Sequence, residues 1–342
     1  MKTLEKKIAV VAGATRGAGR GIARALGEAG ATVYCSGRSV RGQPATPGRD
    51  ETIDETAELV TSAGGRGIAV RTDHTVEREV EALFSRVREE HGRLDVLVND
   101  IWGGDAITEW GKTFWEVDVA QGFTLIERAV HTHIITSRHG VPLMLEGAGG
   151  LIVEITDGAF QGYRGQLFYD LCKTSVIRLA YAMAIELRDH PITALALTPG
   201  FLRSEAVLDH FGVSEDNWRD AIAKDPHFAQ SETPWLVGRA IVALATDPDV
   251  HTRAGRAWSA WELSRHYGFT DIDGRQPHWD DYMDRVIGEI LDAGAPSKEE
   301  RLLLGIRVYQ LDFDADRADQ RARIEALLKA HGGAMRLDPE EL

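Results

Sequence analysis

The chain has 342 residues, 43% of them hydrophobic, enough for one large α/β core with an appendage. Its formal net charge of −14 argues against a surface for nucleic acid or an anionic membrane, and no apolar run reaches the ~18 residues of a bilayer span. Met1 to Lys7 lacks the apolar stretch of a secretory leader, and the two cysteines, Cys35 and Cys172, read as buried thiols, so the expectation is a cytoplasmic protein.

In chain order, residues 8–12 form a short apolar run bounded by glycine, the pattern of a strand buried on both faces. Residues 17–29 follow with helical spacing, Ile22, Leu26 and Ala29 sharing one face. The alternation continues with a strand at 31–36, a helix at 50–63, a strand at 67–72, a helix at 77–91 and a strand at 94–98. A long helix is predicted over Trp115 to Leu145, then a strand at 150–156, a helix at 167–188, a strand at 192–197, a helix at 233–246 and a last strand from Gly255 to Trp261. Strands alternating with helices predict an α/β fold over residues 1–268. It is a Rossmann-like, doubly wound parallel sheet with helices on both faces.

Two stretches interrupt this pattern. Residues 201–231 carry Phe201, Phe211, Trp218 and Phe228 beyond the carboxyl end of the sixth strand, where ligands lie in such sheets. They read as a lid over substrate, with a plain helical insertion as the alternative. Residues 269–342 hold 17 acidic and 10 basic residues, half the net charge of the chain. Met283, Val286, Ile287, Ile290 and Leu291 make an apolar stripe, and Ile324, Leu327 and Leu328 suggest another. This C-terminal extension is therefore expected to be helical, docked on its own subunit or on a partner.

Between the first strand and helix lies Gly13-Ala14-Thr15-Arg16-Gly17-Ala18-Gly19. Glycines there permit a tight turn and close approach of backbone to a pyrophosphate, and the helix N-terminus offers free N–H groups. The second strand ends Ser36-Gly37-Arg38, without the acid that binds the ribose hydroxyls of NAD. Arg38 and Arg16 can instead clasp a 2′-phosphate, so the expected cofactor is NADP(H). Asp73, after the third strand, is placed either to accept from an adenine amine or to cap a helix.

Tyr169 and Lys173 stand four residues apart on a predicted helix and share a face. A lysine ammonium beside a phenol stabilises phenolate and lowers its pKa, suiting the tyrosine to pass a proton to a carbonyl oxygen as hydride arrives.

On these motifs the chain resembles the short-chain dehydrogenase/reductase family over roughly residues 5–268. The matching positions are the glycine loop, Asp73, Asn99, Tyr169, Lys173 and Pro199-Gly200. The resemblance implies that the Pro-Gly turn abuts the nicotinamide and that Ser204 supplies a hydroxyl to its carboxamide. It also implies that Lys173 holds the nicotinamide ribose and that members pair into homodimers or homotetramers. Residues 241–248, Tyr267-Gly268 and 271–275 are similar to the dehydrogenase/reductase member one branch, which implies NADPH-dependent carbonyl reduction.

Three departures from the pattern stand out. Asn99 is followed by Asp100, Ile101 and Trp102, and Trp102 is expected to narrow the pocket. The helix asparagine of the family's proton relay aligns near Ala129, leaving His131 or His133 as stand-ins or as plain structural histidines. The catalytic serine aligns with Asp157, with Thr156 one step earlier. An ionised carboxylate there opposes Lys173 and repels an oxyanion. Either Asp157 is protonated and donates as serine would, or Thr156 replaces it, or the substrate carries positive charge such as an iminium, or catalysis is lost.

The sequence thus predicts an NADP(H)-dependent carbonyl–alcohol oxidoreductase acting on a small molecule, with Tyr169, Lys173 and Asp157 or Thr156 catalytic. The expected cofactor set is Gly13, Thr15, Arg16, Gly17, Gly19, Arg38, Asp73, Asn99, Pro199, Gly200 and Ser204, together with Tyr169 and Lys173. Trp102, Phe201 and Trp218 are expected to line the substrate pocket. The alternatives are a cationic-imine reductase and a non-catalytic dinucleotide-binding protein.

Overall fold

The computed structural model describes residues 3–158, 163–310 and 317–331. Seven parallel strands form one sheet: β1 (Ile8–Ala12), β2 (Thr32–Gly37), β3 (Arg66–Arg71), β4 (Val96–Asn99), β5 (Gly150–Ile155), β6 (Ile192–Thr198) and β7 (Ala257–Ser259). Their order is β3-β2-β1-β4-β5-β6-β7. The chain therefore reverses direction across the sheet between β1 and β4, and a crevice opens there at the carboxyl ends. The register sets Ala12 opposite Ser36 on one side and Asn99 on the other, so all three strands end at that crevice.

Helices cover both faces, because β1, β4 and β6 are buried along their whole length and need partners above and below. One face carries α1 (Gly17–Glu28), α2 (Ile53–Ser62) and α8 (Pro234–Thr246), which share a core with Val11, Val98 and Leu197. Residues of α3 (Glu77–His91) and α5 (Thr132–Glu146) pack with Val10, Leu97 and Ile152 in a second core.

The long helix predicted from Trp115 starts instead as α4 (Val119–Ile126), where Asp118 accepts from the amides of Ala120 and Gln121. It reaches α5 through a π turn, Glu127–His131, so the helical register slips at the level of Ala129. The last strand is shorter than predicted. Ser259 and Glu262 form a capping box that turns the chain into α9 (Ala260–Tyr267). Between β5 and α8 lie α6 (Leu167–Glu186) and α7 (Glu205–Phe211).

The extension contributes α10 (Trp279–Ala293), α11 (Lys298–Gln310) and α12 (Ala318–Ala330), whose Ile287, Leu304, Val308, Ile324 and Leu328 bury one another in a small core. No helix among the described residues is long and apolar enough to cross a membrane.

Candidate active site

The glycine loop leaves β1 at Ala12 and enters α1 at Gly17. Gly13 has φ +92°, and a Cβ there would come within 2.2 Å of the Asp100 carbonyl oxygen. A Cβ on Gly19 would come within 2.4 Å of the Gly13 carbonyl. Both positions thus admit only glycine without rearrangement. The loop is a bare backbone cradle with helix N–H groups behind it, which fits the pyrophosphate of a dinucleotide.

A carboxylate already occupies part of that cradle. Glu205 Oε2 accepts from the Gly17 amide at 2.8 Å, and Glu205 Oε1 lies 3.7 Å from Arg20. This latch joins α1 to α7 and had no signal in the sequence. Thr15, Arg16, Gly37, Arg38 and Asp73 line the same cavity, whose volume is about 880 Å³. Asp73 folds back on Thr75, accepting from its amide at 3.0 Å and its hydroxyl at 2.7 Å. His74 is buried between Ser36 Oγ (2.9 Å) and Thr136 Oγ1 (2.8 Å), and burial pushes it down to about 3, so its ring is neutral.

Asn99 and Asp100 end β4 behind the loop. Asn99 Nδ2 donates to Glu154 Oε1 at 2.7 Å and to Ser137 Oγ at 2.9 Å. His133 completes this buried network through Glu154 Oε2 (2.5 Å) and the Ile101 carbonyl (2.9 Å). Its contacts brace the Ile101–Trp102 turn. Asn99 itself stands behind the cavity wall. The Asp100 side chain reaches the Gly19 amide, and burial pushes its carboxyl up to about 7 against the pull of Lys173 and that amide.

Elsewhere along the cavity wall, the Tyr169 hydroxyl donates to Asp157 Oδ2 at 2.7 Å. Thr156 Oγ1 is turned away, donating to the Lys173 carbonyl at 2.8 Å. Of the two residues aligned near the serine position, Asp157 alone holds the tyrosine. Burial first, and then Asp157, push the Tyr169 hydroxyl well above its usual value, with Arg164 pulling the other way. The lowering expected from Lys173 does not appear: the hydroxyl is pushed up, not down. The Lys173 ammonium lies over the Trp102 indole at 4.6 Å and only 5.5 Å from the Tyr169 ring centre. Trp102 and Trp110 pack on Tyr169 with ring centres 5.2 and 4.9 Å away.

The segment 201–231 starts and ends at one point, where Leu202 bridges to Glu232. Phe201, Leu202, Ser204, Ala206 and Val207 line the cavity beside Pro199 and Gly200. The Ser204 hydroxyl caps α7 through the Val207 amide at 3.4 Å. Trp218 does not reach the cavity wall. It is buried in a small core within this segment with Phe211 and Phe228, between the guanidinium groups of Arg203 (4.3 Å) and Arg275 (4.5 Å). Its place at the rim is taken by Trp261 and by Trp279, the first residue of α10. The extension thus reaches the site of its own subunit, with Trp279 edge-on to Phe201 at 6.2 Å.

The short chain dehydrogenase family profile matches residues 7–210. The chain belongs to that family. It is 37% identical to mouse dehydrogenase/reductase SDR family member 1 over 80% of this chain and 85% of the relative. The human protein of the same name is 35% identical over 79% and 84%. A short chain dehydrogenase from Mycobacterium thermoresistibile superposes with a TM-score of 0.67 at 21% identity, covering 80% of this chain and 92% of that one. Family membership brings a nicotinamide dinucleotide with it, in keeping with the bare backbone cradle at Gly13 and Gly19.

Proposed function

We propose that the protein is an NADP(H)-dependent oxidoreductase interconverting a carbonyl compound and its secondary alcohol. The observation that carries this reading is convergence: Gly13 and Gly17 of the glycine loop, Arg16, Arg38, Asp157, Tyr169 and Lys173 all line one cavity. When bound, the nicotinamide supplies or accepts the hydride. Gly13, Thr15, Gly17, Gly19, Asn99, Pro199, Gly200 and Ser204 shape its site. Arg16 and Arg38 meet a 2′-phosphate, and Asp73 takes the adenine amine.

Tyr169 gives a proton to the carbonyl oxygen in reduction and takes it back in oxidation. Lys173 holds the nicotinamide ribose, and Thr156 fixes the backbone of its helix turn. Asp157 orients the hydroxyl of Tyr169 and, through it, the substrate. The mouse relative's printed name, dehydrogenase/reductase, agrees with this class of reaction.

The deciding experiment is fluorescence titration of the protein and its Arg38→Ala variant with NADPH and NADH. NADPH affinity is expected to fall about tenfold or more in the variant, the scale of a lost charge-assisted contact, with NADH affinity unchanged. Equal affinity for both dinucleotides in the parent protein overturns the NADP(H) assignment.

The partnership expected in solution is a homodimer or homotetramer. Phe123 on α4 and Leu171, Tyr181 and Ile185 on α6 are exposed apolar side chains on neighbouring helices, the kind of patch that pairs copies of a chain. Light scattering after size exclusion reads the assembly directly.

Two features favour a second reading, reduction of a cationic imine-type substrate. The Asp157 carboxylate and the raised Tyr169 pKa both oppose release of a proton at the reacting oxygen.

A further inference from the structure

We infer that the substrate presented to Tyr169 and Asp157 is cationic: the iminium form of a C=N compound, reduced to an amine. This rests on the hydride-transfer reading above and replaces oxygen by nitrogen at the reacting carbon.

Charge balance in the site is the first support. Among the described residues, no lysine, arginine or histidine lies within ion-pair distance of the Asp157 side chain. Arg164 pairs with Asp170 at 3.3 Å and bonds Thr174 Oγ1 at 3.1 Å. Toward Asp157 it donates to the backbone carbonyl. Among the described residues, the hydroxyl of Tyr169 is the one hydrogen-bond donor to the carboxylate. A carbonyl oxygen entering here would gain negative charge beside a carboxylate. An iminium nitrogen would lose positive charge there, having been drawn in by it.

The walls supply the second support. Trp102, Trp110, Tyr163 and Tyr169 line the same cavity as Asp157, and Trp102 and Trp110 pack on the ring whose hydroxyl bonds it. Aromatic rings beside a carboxylate are the surroundings that stabilise an organic cation. Trp102 already carries the Lys173 ammonium at 4.6 Å, so Trp110 and Tyr163 are the rings left for a ligand. Asp105 also lines the cavity, but it accepts from the Trp102 indole at 2.6 Å and lies 3.8 Å from Arg16, so Asp157 is the carboxylate left for a cation.

The chemistry balances without a proton from the protein. Hydride from NADPH forms the new C–H bond, and the C=N π pair becomes the nitrogen lone pair. NADPH is oxidised to NADP⁺ and the iminium is reduced to a neutral amine, which solvent protonates as it leaves. Tyr169 keeps its proton throughout, as its raised pKa favours.

The test compares shape-matched probes. Binding of 2-phenylpyrrolidine, as its ammonium, and of 2-phenylcyclopentanol is read by tryptophan quenching, with and without NADP⁺. Turnover of 2-phenyl-1-pyrroline and 2-phenylcyclopentanone is read by NADPH oxidation. The ammonium is expected to bind about tenfold or more tightly than the alcohol, and the imine to exceed the ketone in kcat/KM by roughly a hundredfold. Both preferences should collapse in Asp157→Asn and in Asp157→Ser, with each variant's fold checked by its NADPH affinity. Absence of an ammonium preference in the parent protein, or a preference that survives in both variants, overturns the inference. Failure to bind NADPH at all strikes instead at the hydride-transfer reading. The amine-binding arm without dinucleotide still decides the present one.

Discussion

The Tyr169 hydroxyl and the Asp157 carboxylate are joined by a 2.7 Å hydrogen bond in which the tyrosine is the donor. A serine at position 157 could turn its own hydroxyl toward a substrate oxygen. An ionised carboxylate can only accept. The bond therefore spends the Tyr169 proton on a protein group, and an oxygen substrate has to displace that carboxylate before it can receive the proton.

For a ketone substrate, Tyr169→Phe is expected to lower kcat by about 10²–10⁴-fold, the usual worth of a positioned general acid. NADPH affinity should change by less than about twofold, because the phenol lies beyond the glycine cradle. Stopped-flow turnover beside a binding titration separates the two. Ketone reduction at the parent rate removes Tyr169 from the chemistry.

The Glu205 latch predicts an effect of the opposite sign on cofactor affinity. Its carboxylate holds the Gly17 amide at 2.8 Å, at the end of α1 that a pyrophosphate needs. Glu205→Gln removes an anion that competes with, and repels, the dinucleotide. NADPH binding should tighten by about three- to tenfold, an effect that shrinks at high salt. Weaker binding in this variant would mean that Glu205 helps to hold the cofactor.

Much of this site could be read from the chain because its motifs are local. Gly13, Gly17 and Gly19 lie within one turn, and Tyr169 and Lys173 share one helix face, so spacing alone places them. The contacts that could not be read join distant segments: Glu205 with Gly17, Arg203 and Arg275 with Trp218, Trp279 with Phe201. No periodicity encodes such pairs. Trp218 illustrates the difficulty, because an aromatic between two arginines inside a lid looks in sequence like one facing a ligand. The π turn at Ala129 was hidden for a related reason. The apolar pattern on either side of it is that of ordinary helix, and nothing in the spacing marks the extra residue.

Asp100 carries a pH prediction. Burial raises its folded pKa from 3.8 to about 7, so between those values the folded state holds a proton that the unfolded state has lost. Its contribution is fully present below pH 3.8 and is lost as pH rises toward about 7, at up to ~1.4 kcal/mol per pH unit. Neutral His74, pushed down to about 3, acts in the other direction over the same range, so the parent profile mixes the two. Asp100→Asn isolates the first. Relative to the parent, this variant should gain stability steadily from about pH 4 to 7 and gain no more above that range. Urea unfolding across this range checks it, and parallel profiles would show that Asp100 ionises normally in the folded protein.

Trp279 tests whether the acidic extension serves the site or merely packs behind it. Its indole lines the cavity and meets Phe201 edge-on at 6.2 Å, while Tyr282, one turn along α10, bonds His227 Nδ1 at 3.0 Å. These contacts tie the extension to the 201–231 segment and leave the glycine loop untouched. Trp279→Ala removes a large apolar surface from the substrate end of the cavity. KM for a bulky substrate is then expected to rise by about ten- to a hundredfold, the worth of ~1.4–2.7 kcal/mol of lost aromatic contact, with kcat and NADPH affinity nearly unchanged. Small substrates that never reach the rim should be insensitive. A variant that lost NADPH binding together with substrate binding would show instead that α10 supports the whole fold, and the extension would then have no separate part in selecting the substrate.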